Sequence, residues 1–196
     1  SLFIKADGSL WAVGQNNKGQ LGTGDVNSRA TPVKVVDGGA SAVSAGVEHS
    51  LFVKEDGTLW VMGSNERGAI GTGNADDVHI PVQILDGVKD VASYEHHTLI
   101  LKNDGSLWST GNNYLGQLGV GGGGGVSDKF SDSFDKRAPV QVVADGVRSI
   151  AVGESNSFFI KDDGSLWGFG SNGSGQLGNG ESGGFSHFDS PDKGTP

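Results

Sequence analysis

A five-residue string, Asp-Gly-[Ser/Thr]-Leu-Trp, occurs four times in this chain and constrains its fold more than any other feature. The copies begin at Asp7, Asp56, Asp104 and Asp163, so successive copies lie 49, 48 and 59 residues apart. Four copies in one register within 196 residues cannot arise by chance. A fixed period of about 50 residues predicts a solenoid or a propeller, in which each copy forms one supersecondary unit.

Other residues recur at fixed distances from each Asp. Tryptophan follows at Trp11, Trp60, Trp108 and Trp167, and asparagine at Asn16, Asn65, Asn113 and Asn172. Glycines recur in a Gly-Gln-Leu-Gly-x-Gly string, and a Pro-Val pair recurs at Pro32, Pro81 and Pro139. We interpret these residues as structural, because chemistry rarely needs four identical copies of one group. The recurring Leu and Trp are expected to fill the gap between neighbouring units.

Short apolar runs within one period decide between the two architectures. The runs are 81–85, 91–93, 98–102 and 107–110, and turn residues separate them. Such runs are typical of β-strands, and Asp104-Gly105 is predicted to form a two-residue hairpin turn. No segment shows the 3.6-residue period of a helix. Four antiparallel strands per period predict one propeller blade, so residues 1–196 are predicted to form a single all-β propeller segment.

These strings also carry a resemblance to a known family. Asp-Gly-Ser-Leu-Trp, Gly-x-Asn-x-x-Gly-Gln-Leu-Gly-x-Gly and the string Gly-Val-Glu-His-Ser-Leu at 46–51 resemble the repeats of the RCC1 (regulator of chromosome condensation) family, in their bacterial form. The resemblance covers the whole chain except two insertions. It implies a propeller of seven blades.

The number of repeats falls short of that ring. Seven blades need about 350 residues at one period each, and the chain has 196. Ser1 aligns with Ser50, and Pro196 aligns with the recurring prolines, so the first and last copies are incomplete. We therefore expect a partial propeller, either a piece of a longer repeat protein or a subunit whose open sheet edges another copy covers.

Charge and composition narrow the classes of partner. The net charge is −9 with a pI near 4.8, which argues against nucleic acid, since that affinity comes from Lys and Arg. No apolar run is long enough to predict membrane insertion, and the lack of cysteine excludes disulfides and thiol catalysis. A protein partner, other copies of the chain, or the rest of a longer chain are the expected partners. We favour an extracellular or cell-surface location over the cytoplasm.

Residues that could carry chemistry do not form a recognisable site. His49 and His97 occupy one repeat position, which Asn156 fills in the next copy. The family resemblance implies that this position is structural, with a polar side chain that satisfies backbone groups between blades. Asp25 and its equivalent Asn74 are interpreted as turn residues. No serine lies in a Gly-x-Ser-x-Gly elbow, and the glycine run at 121–125 lacks the Lys-[Ser/Thr] of a phosphate loop. The chain is therefore predicted not to be an enzyme and to need no metal or other cofactor.

Two insertions break the repeat and offer the best candidate for a binding surface. The distance from Asp to Pro is 25 residues in the first two copies but 35 and 33 in the last two. The insertions, at about 122–138 and 181–195, follow the same Gly-x-Gly and are predicted to emerge on one face, where repeat proteins often bind. The candidate anchors are Lys129, Phe130, Phe134, Arg137, Phe185, His187 and Phe188. The phenylalanines either bind a partner or pack the insertions on themselves.

Three functions remain open on the sequence. The first is a non-enzymatic interaction scaffold, as a segment of a secreted or surface bacterial repeat protein or an assembly subunit. The second, implied by the family's name-giving member, is guanine-nucleotide exchange on a small GTPase. The third is inhibition of an enzyme such as a β-lactamase, as a bacterial propeller with similar repeats does.

Overall fold

The computed structural model describes residues 1–121, 134–180 and 182. Fourteen β-strands and one 3₁₀ turn (Glu66–Gly68) form the regular structure of these residues. The strands are β1 (Leu2–Ile4), β2 (Leu10–Gly14), β3 (Arg29–Val36), β4 (Ala40–Ala45), β5 (His49–Lys54), β6 (Leu59–Gly63), β7 (Val78–Leu85), β8 (Val88–Tyr94), β9 (His97–Lys102), β10 (Leu107–Gly111), β11 (Lys136–Val143), β12 (Val147–Val152), β13 (Asn156–Lys161) and β14 (Leu166–Gly170). No helix in these ranges is long and apolar enough to cross a membrane.

The strands form four antiparallel sheets, each of which is one propeller blade. Blades 2 and 3 have four strands each, β4-β5-β6-β7 and β8-β9-β10-β11, while blades 1 and 4 have the three strands β1-β2-β3 and β12-β13-β14. The predicted all-β propeller architecture is confirmed. The recurring proline strand closes a blade rather than opening one, because β7, which contains Pro81, pairs with β6 before it.

Each Asp-Gly pair lies in the hairpin between the second and third strands of the repeat, but its loop has three residues. The N–H of Lys102 donates to the carbonyl of Ser106, and the N–H of Gly105 donates to the carbonyl of Lys102. Gly105 has a φ of 80°, whereas Asp104 keeps a negative φ. The predicted two-residue turn is therefore wrong. A type I turn followed by a left-handed glycine forms instead, because the Asp104 carboxylate bonds to a backbone N–H two residues later.

The apolar core lies between the blades. Leu59 and Val61 of blade 2 pack with Val88 and Ile100 of blade 3, and the other two junctions hold equivalent clusters. The leucine position of Gly-Gln-Leu-Gly is buried in the first three blades, at Leu21, Ile70 and Leu118. Trp60 and Trp108 pack at the edges of two of these clusters. The expectation that Leu and Trp fill the gaps between blades is met at these junctions.

The recurring prolines lie on the strands that end each sheet. Pro32, Pro81 and Pro139 belong to β3, β7 and β11, which each pair with only one other strand. Proline has no N–H to donate, so it weakens the tendency of an open edge to pair with another chain. The Pro-Val strand is thus suited to the outer side of each blade.

Candidate interaction surface

Two kinds of connection meet at one end of every blade. The second strand begins opposite the end of the third, as in the pairs His49 with Gly63 and His97 with Gly111. The turn before the second strand and the connection after the third strand therefore emerge side by side. We call this end the loop face. It comprises the turns 46–48, 95–96 and 153–155 and the connections 15–28, 64–77, 112–121 with 134–135, and 171–180.

A buried asparagine folds each connection of the loop face. The Oδ1 of Asn65 accepts a hydrogen bond from the N–H of Ile70, while its Nδ2 donates to Thr72 Oγ1 and to the Asn74 carbonyl. The same bond from a leucine N–H recurs at Asn16, Asn113 and Asn172. Because these side-chain amides form hydrogen bonds with the loop itself, the recurring asparagines are structural residues.

In blade 3 the asparagine holds both ends of the insertion. The Nδ2 of Asn113 donates to the Gly121 carbonyl at 3.1 Å, and the N–H of Asn113 donates to Asp135 Oδ1 at 3.2 Å. The same carboxylate accepts a hydrogen bond from Asn112 and pairs with Arg67 of blade 2. The residues on either side of 122–133 are therefore fixed to the blade.

The candidate anchors divide into two groups. Lys129, Phe130, Phe185, His187 and Phe188 lie outside the described residues and remain predictions. Phe134 is half-buried and directly precedes Asp135 at the stem of the insertion. Arg137 is the second residue of β11, and its carbonyl accepts a hydrogen bond from the N–H of Gly73 at 2.7 Å. Phe134 and Arg137 thus flank the point at which the insertion joins the loop face.

Ion pairs join neighbouring blades across the loop face. Lys18 of blade 1 lies 3.2 Å from Asp77 of blade 2, and Arg67 of blade 2 lies 3.4 Å from Asp135 of blade 3. Both cations occupy the position before the first glycine of the connection, where blade 3 has Leu115. The hydrogen bond to Asp77 raises the pKa of Lys18.

Sequence reasoning missed these ion pairs, although a signal was present. Asp77 and Asp135 each lie four residues before a recurring proline, and Ser28 holds the same position in blade 1. All three accept the N–H of the buried asparagine of their own blade. The repeat alignment could therefore have identified the acidic partner.

Two cavities open on the loop face among the residues that the structure describes. The larger, of 720 Å³, is lined by charged residues that include Lys18, Glu66, Arg67, Asp76, Asp77 and Arg137. The smaller, of 240 Å³, lies further along, where blades 3 and 4 meet. The charged lining of the larger cavity suits contact with another macromolecule better than enclosure of an apolar ligand.

The two histidines that share one repeat position, His49 and His97, are buried and bridge blades. The Nε2 of His49 contacts the hydroxyl of Ser93, and that of His97 contacts the hydroxyl of Ser157, in each case on the following blade. Burial lowers the pKa of His49 to about 3 and that of His97 to about 4. Both imidazoles are therefore neutral near pH 7. The predicted structural role between blades is confirmed, with serine hydroxyls in place of the predicted backbone groups as the Nε2 partners.

Asp25 is an acceptor within its turn. Its Oδ1 accepts hydrogen bonds from the N–H of Asn27 and the hydroxyl of Thr23, and its Oδ2 pairs with Arg29 at 2.6 Å. These contacts, the Asn27 bond first, lower the pKa of Asp25 to about 2. The turn interpretation of Asp25 is confirmed.

Comparison with protein families identifies the repeat. A family model for the Regulator of chromosome condensation (RCC1) repeat matches residues 7–53 and 56–101, and a second RCC1 repeat model matches 40–69, 88–117 and 147–176. Together they span 7–117 and 147–176, well over half of the chain. This chain belongs to the RCC1 repeat family. Comparison with curated protein sequences found no significant match.

Solved structures share the RCC1 fold. Human WBSCR16 superposes with a TM-score of 0.74 at 22% identity over 93% of this chain and 47% of its own length. Prp20p from Saccharomyces cerevisiae gives 0.79 at 22% identity over 100% and 47%. Yeast RCC1 (Prp20) bound to Kap60 gives 0.78 at 23% identity over 100% and 45%. The chain therefore spans about half the length of the RCC1 structures it matches.

Proposed function

We propose that this chain is a non-enzymatic protein-interaction module, which binds a protein partner through the loop face and uses its two insertions as contacts. The observation that supports this most is the anchoring of the first insertion. Asn113 bonds to both Gly121 and Asp135, so the residues on either side of 122–133 are fixed to blade 3. Fixed flanking residues lower the entropy that a binding loop loses on complex formation.

Protein partners of similar propellers support the class of function. Prp20p has binding properties to Gsp1p and histones, and Kap60 is bound to yeast RCC1 in another structure. We further propose that the module belongs to a secreted or surface bacterial repeat protein or to an assembly. The bacterial form of the repeat supports this location, which cell fractionation with an antibody to the chain tests.

Shortening both insertions tests the function. In blade 2 only Asn-Ala-Asp joins Gly73 to Asp77, so the same tripeptide replaces 122–134 and 181–191 in a short-loop variant. Immobilised parent and variant are exposed to the same extract, and each captured protein is then purified and retested. We expect the variant to lose capture while its circular dichroism and urea midpoint stay close to those of the parent.

A matched control alters the opposite end of the blades. Glu55 lies in the hairpin between β5 and β6, so Glu55→Gln changes a charge away from the loop face and should leave capture intact. Capture that is unchanged in a folded short-loop variant would refute binding through the insertions.

A further inference from the structure

The smaller cavity of the loop face combines apolar and acidic residues. It has a volume of 240 Å³ and lies where blade 3 meets blade 4. Tyr114 and Leu115, both half-buried, line it together with the carboxylate residues Glu95 and Glu154. Arg67 reaches it from blade 2. The cavity thus offers an apolar surface beside negative charge.

The negative charge of this cavity is not neutralised within the described residues. Arg67, the cation that lines it, pairs with the almost fully buried carboxylate of Asp135. Neither Glu95 nor Glu154 has a cation within salt-bridge distance in that part of the chain. A carboxylate at such a surface is stabilised by a cation that donates a hydrogen bond to it.

The three blade junctions differ in the residue that lies beside the turn of the following blade. Lys18 of blade 1 lies near Glu48 in the turn of blade 2 and interacts with its charge. Arg67 of blade 2 lines the cavity with Glu95 in the turn of blade 3. At the third junction Leu115 takes the cation's position, beside Glu154 in the turn of blade 4. Two junctions therefore carry a built-in cation, and the third carries a leucine.

We propose that this cavity receives a lysine or arginine side chain of the protein partner, at the junction where the described residues place Leu115 in the position of the built-in cation. The inference rests on the proposed function and names the chemistry that the loop face recognises. The aliphatic stem packs on Leu115 and Tyr114, and the charged end lies against Glu154 and Glu95. The partner is thus a protein with a basic side chain at the centre of its contact surface.

An NMR titration tests this proposal on the 196-residue chain. The probe is the peptide acetyl-Gly-Arg-Gly-amide, with acetyl-Gly-Glu-Gly-amide as the oppositely charged control. We expect saturable shifts of the Glu95, Leu115 and Glu154 backbone amides with the arginine peptide alone. Leu115→Lys, which restores the built-in cation, and Glu154→Gln should each raise the Kd by about threefold to fivefold, as for the loss of one exposed charge pair.

A matched variant separates a local effect from a change in net charge. Ser174 is exposed and holds the position of Leu115 in blade 4, so Ser174→Lys should leave the Kd unchanged. The proposal is overturned if the arginine peptide causes no saturable shift at the cavity, or if Leu115→Lys and Glu154→Gln, with native-like spectra, bind it as the parent does. The titration keeps both insertions and needs no natural partner. If the titration shows no binding at the cavity while the short-loop variant loses capture, the proposed function holds and only the role of this cavity is refuted.

Discussion

A relay of hydrogen bonds explains the Asp, the Ser or Thr and the Trp of the Asp-Gly-[Ser/Thr]-Leu-Trp string. The Asp104 carboxylate accepts bonds from both the N–H and the hydroxyl of Ser106, and that hydroxyl accepts the indole N–H of Trp108 at 3.0 Å. Lys102 lies over the indole ring. The bond from the Ser106 hydroxyl is the main cause of the lowered pKa of Asp104. Only a side chain that donates and accepts through one atom completes the relay, which restricts the third position to Ser or Thr.

The relay predicts the cost of removing its central hydroxyl. Ser106→Ala leaves the Trp108 N–H without its acceptor and removes one of the two hydrogen bonds to Asp104 Oδ1, at a site where Ser106 is buried. We expect the free energy of unfolding to fall by about 1–2 kcal/mol, measured by urea denaturation followed by tryptophan fluorescence. Ser106→Thr is the control, since Thr58 performs the same role in blade 2. Equal losses in both variants would contradict the relay.

The buried histidines give the protein a defined response to acid. Burial holds the pKa of His49 at about 3 and that of His97 at about 4, below the ordinary value of 6.5. The unfolded chain therefore takes up protons on these residues below pH 6.5 while the folded chain does not. The stabilisation is fully present above pH 6.5 and is lost as the pH falls towards the folded-state pKa.

Replacing His97 by asparagine, the residue at the equivalent position 156, should weaken that response. Between pH 6.5 and about 4 each buried histidine removes about 1.4 kcal/mol of unfolding free energy per pH unit. Over this pH range we expect the free energy of unfolding to fall less for His97→Asn than for the parent. The difference equals the contribution of one buried histidine. Urea denaturation at a series of pH values measures the slope. A slope equal to that of the parent would show that His97 is protonated in the folded state.

At the scale of single elements, the connections of the loop face depend on the aspartate before the last strand of a blade. The side chain of Asp135 is 1% exposed and that of its partner Arg67 is 20% exposed, whereas the side chains of Asp77 and Lys18 are 29% and 38% exposed. Removing one charge of a buried pair leaves the other uncompensated, while an exposed charge is compensated by water. The two equivalent ion pairs therefore differ in strength.

Matched substitutions measure that difference. Asp135→Asn keeps an acceptor for the Asn113 N–H but removes the buried negative charge that pairs with Arg67, so we expect a loss of about 2–3 kcal/mol. Asp77→Asn should cost less than about 1 kcal/mol. Urea denaturation gives both values, and hydrogen exchange of the Asn113 amide reports the stem directly. If Asp77→Asn proves the more costly, burial does not decide the strength of these pairs.

Local sequence patterns predicted the strands, but they could not predict the contacts between blades. The run 98–102 lies within β9 and 107–110 within β10, because alternation and Asp-Gly turns depend on adjacent residues. The hairpin length was wrong, since the Asp104 side chain, and not chain flexibility, sets the turn. Lys18 and Asp77 are 59 residues apart, so only the repeat alignment could have paired them. Of the candidate anchors, five lie outside the described residues, so the sequence remains their only support.

In the whole molecule, each blade is held by its neighbours through two layers. Apolar clusters fill the junctions, and backbone hydrogen bonds join the hairpin of one blade to the first strand of the next. In these bonds the N–H groups of Ala40, Val88 and Val147 donate to the carbonyls of Gly8, Gly57 and Gly105, respectively. Stability in such an array is the sum of each blade's own contribution and the contacts between adjacent blades.

That additivity predicts that one repeat position contributes differently in different blades. Leu107 is fully buried between blades 3 and 4, whereas its equivalent Leu166 in blade 4 is 68% exposed. In the 196-residue chain we expect Leu107→Ala to lower the free energy of unfolding by about 2–5 kcal/mol. Leu166→Ala should change it by less than about 0.5 kcal/mol. Leu59→Ala, at the same buried position in blade 2, is the control for Leu107→Ala in urea denaturation. A large loss on Leu166→Ala would mean that this side chain is covered in solution. A fourth strand on blade 4 would then contribute to stability as β7 and β11 do in the blades before it.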